Sequence, residues 1–165
     1  MASLDERVGF LCLGRHVEPS VGRGCGQEGQ DCMTAHERVV ARLRAHCLAK
    51  PGTTEELPFD DRTLVFKVGG KMFCLLDAFE FEGCGMKCAP DRIPELRAQF
   101  EGVTTGPYLN PKHWNSVHPE PFGDVPWETF LELVDHSYTL VWQGLTKKVK
   151  LAIEKRDSGN EALAT

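Results

Sequence analysis

The stretch TLVFKVGGKMFCLL, residues 63–76, decides how the rest of the chain folds. Leu64, Phe66 and Val68 alternate with Val65 and Lys67, the period of two expected of a strand with unlike faces. Gly69-Gly70 supplies the two positive-φ positions of a tight hairpin turn, and Met72 to Leu76 returns as a second, antiparallel strand. The same glycine pair is no phosphate loop. It lacks the spacing and following helix of a dinucleotide fingerprint, and the pattern GxxxxGK[ST] does not occur.

Upstream, Thr34 and Glu37 in TAHE form a capping box ahead of Val40, Leu43 and Cys47, which recur at helical spacing with Val39 and His46 beside them. Lys50-Pro51-Gly52 stops that helix. Residues 1–32, with SVGRGCGQEGQDC, read as a flexible extension. Downstream, GCGMKCA offers a third short strand, and Asp91 to Phe100 a helix with Pro94 in its first turn. VTTGPYLNPKHWNSVH reads as two extended segments about an Asn110-Pro111-Lys112 turn. The longest helix starts near Pro126 and carries Phe130, Leu133, Val134, Tyr138, Val141 and Leu145 in rhythm, with Gly144 as its terminator. TKKVKLAIEK begins a last helical turn or two, and residues 157–165 are a frayed tail. The expectation is an α+β domain over 33–156, in the order α-β-β-β-α-β-β-α, with an antiparallel sheet and helices on one face.

Composition narrows the function. The chain has 165 residues, 41% hydrophobic and 26% charged, as in a soluble globular protein, and no apolar run approaches the roughly 20 residues of a membrane span. The beginning, MASLDERVGFLCLGRH, is no secretory signal, so the expected location is the cytoplasm. Seven cysteines at irregular spacing read as reduced thiols. Cys84 and Cys88 have no matching second pair, so no metal and no cofactor is implied. A formal net charge of −5 excludes a histone-like grip on DNA and leaves room only for a local basic patch, for which Lys147 and Lys148 are candidates.

Chemistry concentrates in GPYLNPKHWNSV, residues 106–117. On a strand through 112–118, Lys112, Trp114, Ser116 and His118 share one face, and His113, Asn115 and Val117 share the other. With Val117 toward the helices, Lys112 and Trp114 join Lys67 and Lys87 on an open face. There an indole stacks a base and amines hold phosphate. The candidate binding set is Lys67, Lys87, Lys112, His113, Trp114, Asn115, Lys147 and Lys148. The structural alternative has Trp114 and Tyr108 covering apolar surface, and His113 and Asn115 bonding backbone at the sheet end. A further alternative is a small-molecule binder or an enzyme built on His113 with Cys84 or Cys88, His113 being the general base in the enzyme. Ser116, on the opposite strand face, is out of its reach. No catalytic residue is assigned, and acidic pairs such as Asp60-Asp61 and Asp77-Glu80 read as solvent-facing loop residues.

Five blocks in order carry a family likeness: CLAKPGTTEELPF (47–59), residues 63–76, MKCAPDRIPELR (86–97), YLNPKHWNSV (108–117) and LVDHSYTLVWQGLTKK (133–148). Over about 47–150 the chain resembles the MmcQ/YjbR-like family. The resemblance implies a secretion-chaperone-like fold and a DNA-binding label, with a protein-interaction module as the other reading, and it brings no catalytic residues. The positions it singles out are Pro51, Gly52, Lys67, Gly69, Gly70, Lys71, Lys87, Asn110, Lys112, His113, Trp114, Asn115, His136, Ser137 and Tyr138. Leu109 departs from the basic or polar residue that many members carry after the tyrosine.

Overall fold

The hairpin forms as the alternation requires. In the computed structural model, which describes residues 33–161, β2 (Thr63–Val68) and β3 (Lys71–Asp77) pair antiparallel about Gly69 and Gly70, with φ of 56° and 79°. Both glycines occupy the left-handed region that side chains disfavour. The extension read at residues 1–32 lies outside the described residues, as do 162–165. The register shifts between Phe66 and Lys67: Phe66 faces Cys74 while Lys67 faces Met72, so Phe73 is the extra residue of a bulge.

Two further strands extend the hairpin on its far side. β4 (Cys84–Lys87) pairs with β3, and β6 (Trp114–Val117) pairs with β4. β5 (Val103–Thr104) closes that edge against β6. On the other edge lies β1 (Thr53–Glu56), a segment to which the sequence pattern assigns no element. Its TTEE has no apolar alternation. It is a charged edge strand, held by the Arg44–Glu55 ion pair at 2.7 Å and the Lys67–Glu56 pair at 2.5 Å. The sheet has six antiparallel strands in the order β1-β2-β3-β4-β6-β5.

The helices cover one face. α1 (Ala35–Leu48) has its capping box: the Thr34 N–H donates to Glu37 Oε2 at 2.7 Å, and the Glu37 N–H to Thr34 Oγ1 at 3.2 Å. It buries Val39, Val40, Leu43 and Cys47. α2 (Ile93–Gln99) has its proline in the first turn and buries Ile93 and Leu96. α3 (Trp127–Gln143) is the longest helix and packs Phe130, Leu133, Val134 and Val141 against Phe66, Phe73 and Met86. α4 (Lys147–Glu161) runs 15 residues where a turn or two was expected, and it is still helical where the tail was to fray. This helix is mostly polar and so carries little apolar rhythm: Ile153 alone of its described side chains is buried, against Gly52, while Val149 and the preceding Leu145 meet Gly69. The observed order is α-β-β-β-β-α-β-β-α-α.

Ser137, fully buried on α3, fills a gap in the sheet. The paired register of β3 and β4 runs from Leu76–Cys84 to Cys74–Met86. Beyond it, the Lys87 N–H donates to Ser137 Oγ at 2.8 Å, and Ser137 O–H donates to the Phe73 carbonyl at 2.5 Å. One hydroxyl thus joins the bulged strand to its neighbour in place of a ladder bond. Ser137→Ala leaves a buried donor and a buried acceptor unpaired and destabilises the fold by about 2 kcal/mol or more, read as a lower urea midpoint at unchanged slope.

Candidate functional site

Strand register sorts side chains onto the two faces. Leu64, Phe66 and Val68 on β2, Cys84 and Met86 on β4, and Asn115 and Val117 on β6 face the helices. Lys67, Met72, Leu75, Gly85, Lys87, Trp114 and Ser116 lie on the open face.

That open face carries a groove of about 870 Å³. Met72, Leu75, Gly85 and Ser116 form its floor, and Thr104 to Leu109 form one wall. Leu109 lies flat on the sheet because residue 85 has no side chain there: a Cβ would stand 2.8 Å from Leu109 Cδ1. The opposite wall carries Phe59 and Asp60, then Asp77, Glu80, Glu82 and Gly83. Phe59 is 67% exposed, and Tyr108 is fully exposed with φ +61°. No lysine or arginine lines the groove. Arg62, beside it, bridges Asp77 at 3.1 Å and Glu80 at 2.6 Å. Backbone N–H groups of Thr63 and Arg62 hold the Asp60 carboxyl below its usual range, so it stays charged. The Asp77 carboxyl is also lowered, by the N–H groups of Glu80 and Phe79 and by Arg62, against an opposing burial effect. Of the acids read as solvent-facing loop residues, Asp60, Asp77 and Glu80 therefore stand along one wall of an apolar floor.

The candidate residues fall in several places. Lys87 faces Trp114 in register, and Trp114 is half-buried. Lys67 shares their face, but Glu56 engages its amine. Lys112 is exposed in the turn before β6, which starts only at Trp114, so it is not on the strand; its N–H donates to Asn110 Oδ1 at 3.0 Å. His113 is exposed in the same turn. Asn115 is 1% exposed, and its Oδ1 accepts from Arg97 Nε at 3.0 Å, so it braces α2 against β6 and is out of reach of a ligand. Arg97 also donates to the Pro111 and Trp114 carbonyls, at 3.1 and 3.2 Å, and so shapes the turn. Lys147 and Lys148 are exposed on α4. Lys148, with Arg156, lines a second groove of about 590 Å³ beside Gly69 and Gly70. The eight residues do not form one patch.

The cysteine–histidine alternative does not assemble. Cys84 is fully buried on the helix side, its sulfur 2.8 Å from that of Cys74, and Cys88 is buried as well. Burial pushes the Cys74 and Cys88 thiols up, away from the reactive thiolate. The His113 side chain is exposed, and the contact between it and Cys88 is through the backbone, where the His113 carbonyl accepts from the Cys88 N–H at 2.8 Å. Ser116 and His118, placed on one strand face by the sequence pattern, are not paired with each other or given a role by it. Both line the groove, and their two-residue spacing on one strand face was the available signal.

Among the described residues no cluster of metal-ligating side chains is present, and no helix is long and apolar enough to cross a membrane. A family model described as YjbR matches residues 48–140. The uncharacterized protein YjbR of Escherichia coli K12 is 29% identical over 100 residues, 60% of this chain and 83% of its own length. The uncharacterized protein YbdF of Escherichia coli O157:H7 is 34% identical over 95 residues, 55% of this chain and 74% of its own. The crystal structure of Deinococcus radiodurans protein DR2400, of the DUF419 domain family, superposes with a TM-score of 0.62 at 36% identity, covering 70% of this chain and 87% of that one. A Pseudomonas syringae protein shares the fold at 18% identity and a TM-score of 0.50, over 61% of this chain and 96% of that one.

Several positions singled out by the resemblance have structural work. Tyr138 donates its hydroxyl to the Pro51 carbonyl at 2.9 Å, and its ring meets Phe73 edge-on at 5.4 Å. Lys71 donates to the Gly144 carbonyl at 3.1 Å. His136 Nε2 accepts from the Ala89 N–H at 3.4 Å, which requires that nitrogen to be unprotonated. Partial burial, aided by nearby Arg92, lowers the His136 imidazole below its usual value. The folded state then binds its proton less readily than the unfolded chain. Stability is unaffected by this group above about pH 6.5 and falls as pH drops through that value toward the folded-state value. A urea midpoint that declines from pH 7.5 to 5.5, with a smaller decline in His136→Gln, is the expected result.

Proposed function

The chain belongs to the YjbR family, and we propose that it is a protein-interaction module whose open-face groove takes a partner segment bearing cationic groups on apolar side chains. The groove's charge pattern carries this reading: four carboxylates along one wall of an apolar floor, Asp60 and Glu82 without a basic partner in the lining and Asp77 and Glu80 paired with Arg62 beside it. Phe59 and Tyr108 are exposed where a partner would touch them. Aromatic side chains at a groove supply large contact area and attract cations through their π faces. A lysine or arginine lays its aliphatic stem on Met72 and Leu75 while its charge meets the carboxylates.

A nucleic-acid reading has one specific support, the placement of Lys87 opposite Trp114 on the same open face. Against it stand the Lys67–Glu56 pair, the acidic groove on that face and the formal net charge of −5. A phosphate backbone approaching Lys87 would also approach these carboxylates.

Fluorescence titrations with two short peptides, one of Lys, Arg, Leu and Phe and one with the cations exchanged for Glu, test the proposal. The basic peptide binds, binding weakens as salt rises, and Tyr108→Ala weakens it about tenfold. Equal affinity for both peptides, or no effect of Tyr108→Ala, overturns it. Mixed-sequence duplex DNA forms the third arm. Tight, salt-dependent DNA binding lost on Lys87→Ala establishes the nucleic-acid reading instead.

A further inference from the structure

Inside the groove, Ser116 Oγ lies 3.3 Å from His118 Nε2, and His118 Nδ1 bonds the backbone carbonyl of Glu82. A carbonyl oxygen only accepts, so Nδ1 carries the ring proton. In that tautomer Nε2 is the acceptor for the Ser116 hydroxyl. Backbone groups set this tautomer without any carboxylate.

The histidine is closely seated. A Cβ on residue 83 would lie 2.7 Å from both Cε1 and Nδ1 of the ring, so a glycine is needed for the ring to occupy this position. The His118 N–H donates to the Gly102 carbonyl at 2.8 Å, which fixes the backbone on the other side. Ser116 is placed by the β4–β6 register, opposite Gly85, where no side chain crowds it from that strand. Both Ser116 and His118 are half-buried and line the groove. A hydroxyl bonded to an oriented imidazole nitrogen, with a third group holding the ring, is the arrangement of an activated nucleophile.

We propose that Ser116 is a nucleophile toward carboxylic esters, with His118 as its general base and the Glu82 carbonyl as the positioning group. The proposal rests on reading the groove as a ligand site and adds chemistry to it. The Ser116 oxygen attacks the ester carbonyl carbon while its proton passes to His118 Nε2. The bond to the leaving alcohol breaks, and the imidazolium returns the proton to that alcohol, leaving an acyl-serine. Water then attacks the acyl carbon by the same proton route, releasing the acid and restoring the hydroxyl, with no change in oxidation state. Met72, Leu75 and Leu109 offer apolar surface to an acyl chain, and the carboxylates of the groove disfavour anionic esters.

The test treats the full chain with a fluorophosphonate probe, maps the adduct by mass spectrometry and follows hydrolysis of p-nitrophenyl butyrate. The expected result is an adduct on Ser116 that is absent in Ser116→Ala and forms about a hundredfold or more slowly in His118→Gln. Circular dichroism checks that each variant folds; Ser116→Ala removes only one hydroxyl. An unmodified Ser116 in folded protein at saturating probe, or hydrolysis unchanged by Ser116→Ala, overturns the proposal. The peptide titration run in parallel separates the two readings. Peptide binding beside an inert Ser116 overturns only the nucleophile, whereas neither binding nor labelling overturns the groove as a ligand site as well.

Discussion

The hydroxyl of Ser137 is the interaction on which the rest of the sheet depends. A bulge at Phe73 takes one residue of β3 out of register, which would leave main-chain polar groups unpaired at the centre of the molecule. A helix side chain with both a donor and an acceptor resolves this, and serine is small enough to do so where α3 meets the sheet. The neighbouring residues follow from that contact. Tyr138 reaches Pro51 at the end of α1, and His136 reaches the chain leaving β4. Three consecutive side chains of one helix thereby tie α3 to α1, β3 and β4. These positions, singled out by the resemblance, have a mechanical role that needs no ligand.

With the helix face committed to the core, the open face is left for function. It is divided electrostatically. Lys67, Lys87 and Trp114 lie toward the hairpin end of the strands, while Asp60, Asp77, Glu80 and Glu82 lie toward the loops at the other end. Glu56 further reduces the positive end by engaging Lys67. An overall acidic chain with such a division has a sign contrast that acts at short range and no long-range positive field.

The parts of the fold legible in the sequence were those in which local pattern and tertiary demand agree. The glycine turn, the capping box before α1 and the apolar rhythm of α3 each state their conformation locally, and each is present. β1 was illegible because its stability comes from pairing with β2 and from ion pairs to α1 and β2, none of which marks TTEE itself. α4 was short in the reading because a polar helix is held here by the few side chains that meet Gly52 and Gly69. The alternation of β6 correctly placed Val117 inward and Trp114 outward, yet Lys112 was carried along by extending the strand into a turn. Asn115 looked like a ligand group because its amide is chemically versatile; only the position of Arg97, 18 residues earlier, reveals its internal partner. The groove was hidden for a related reason. Its walls come from three loops distant in sequence, and no single stretch carries its outline.

Tyr108 joins two unfavourable circumstances: a left-handed backbone and a ring with nothing packed on it. A glycine there would relax the main chain by about 1–2 kcal/mol, and a polar side chain would sit more comfortably in water. The chain is thus held slightly uphill at one protruding ring, and the strain is confined to the short loop that carries it.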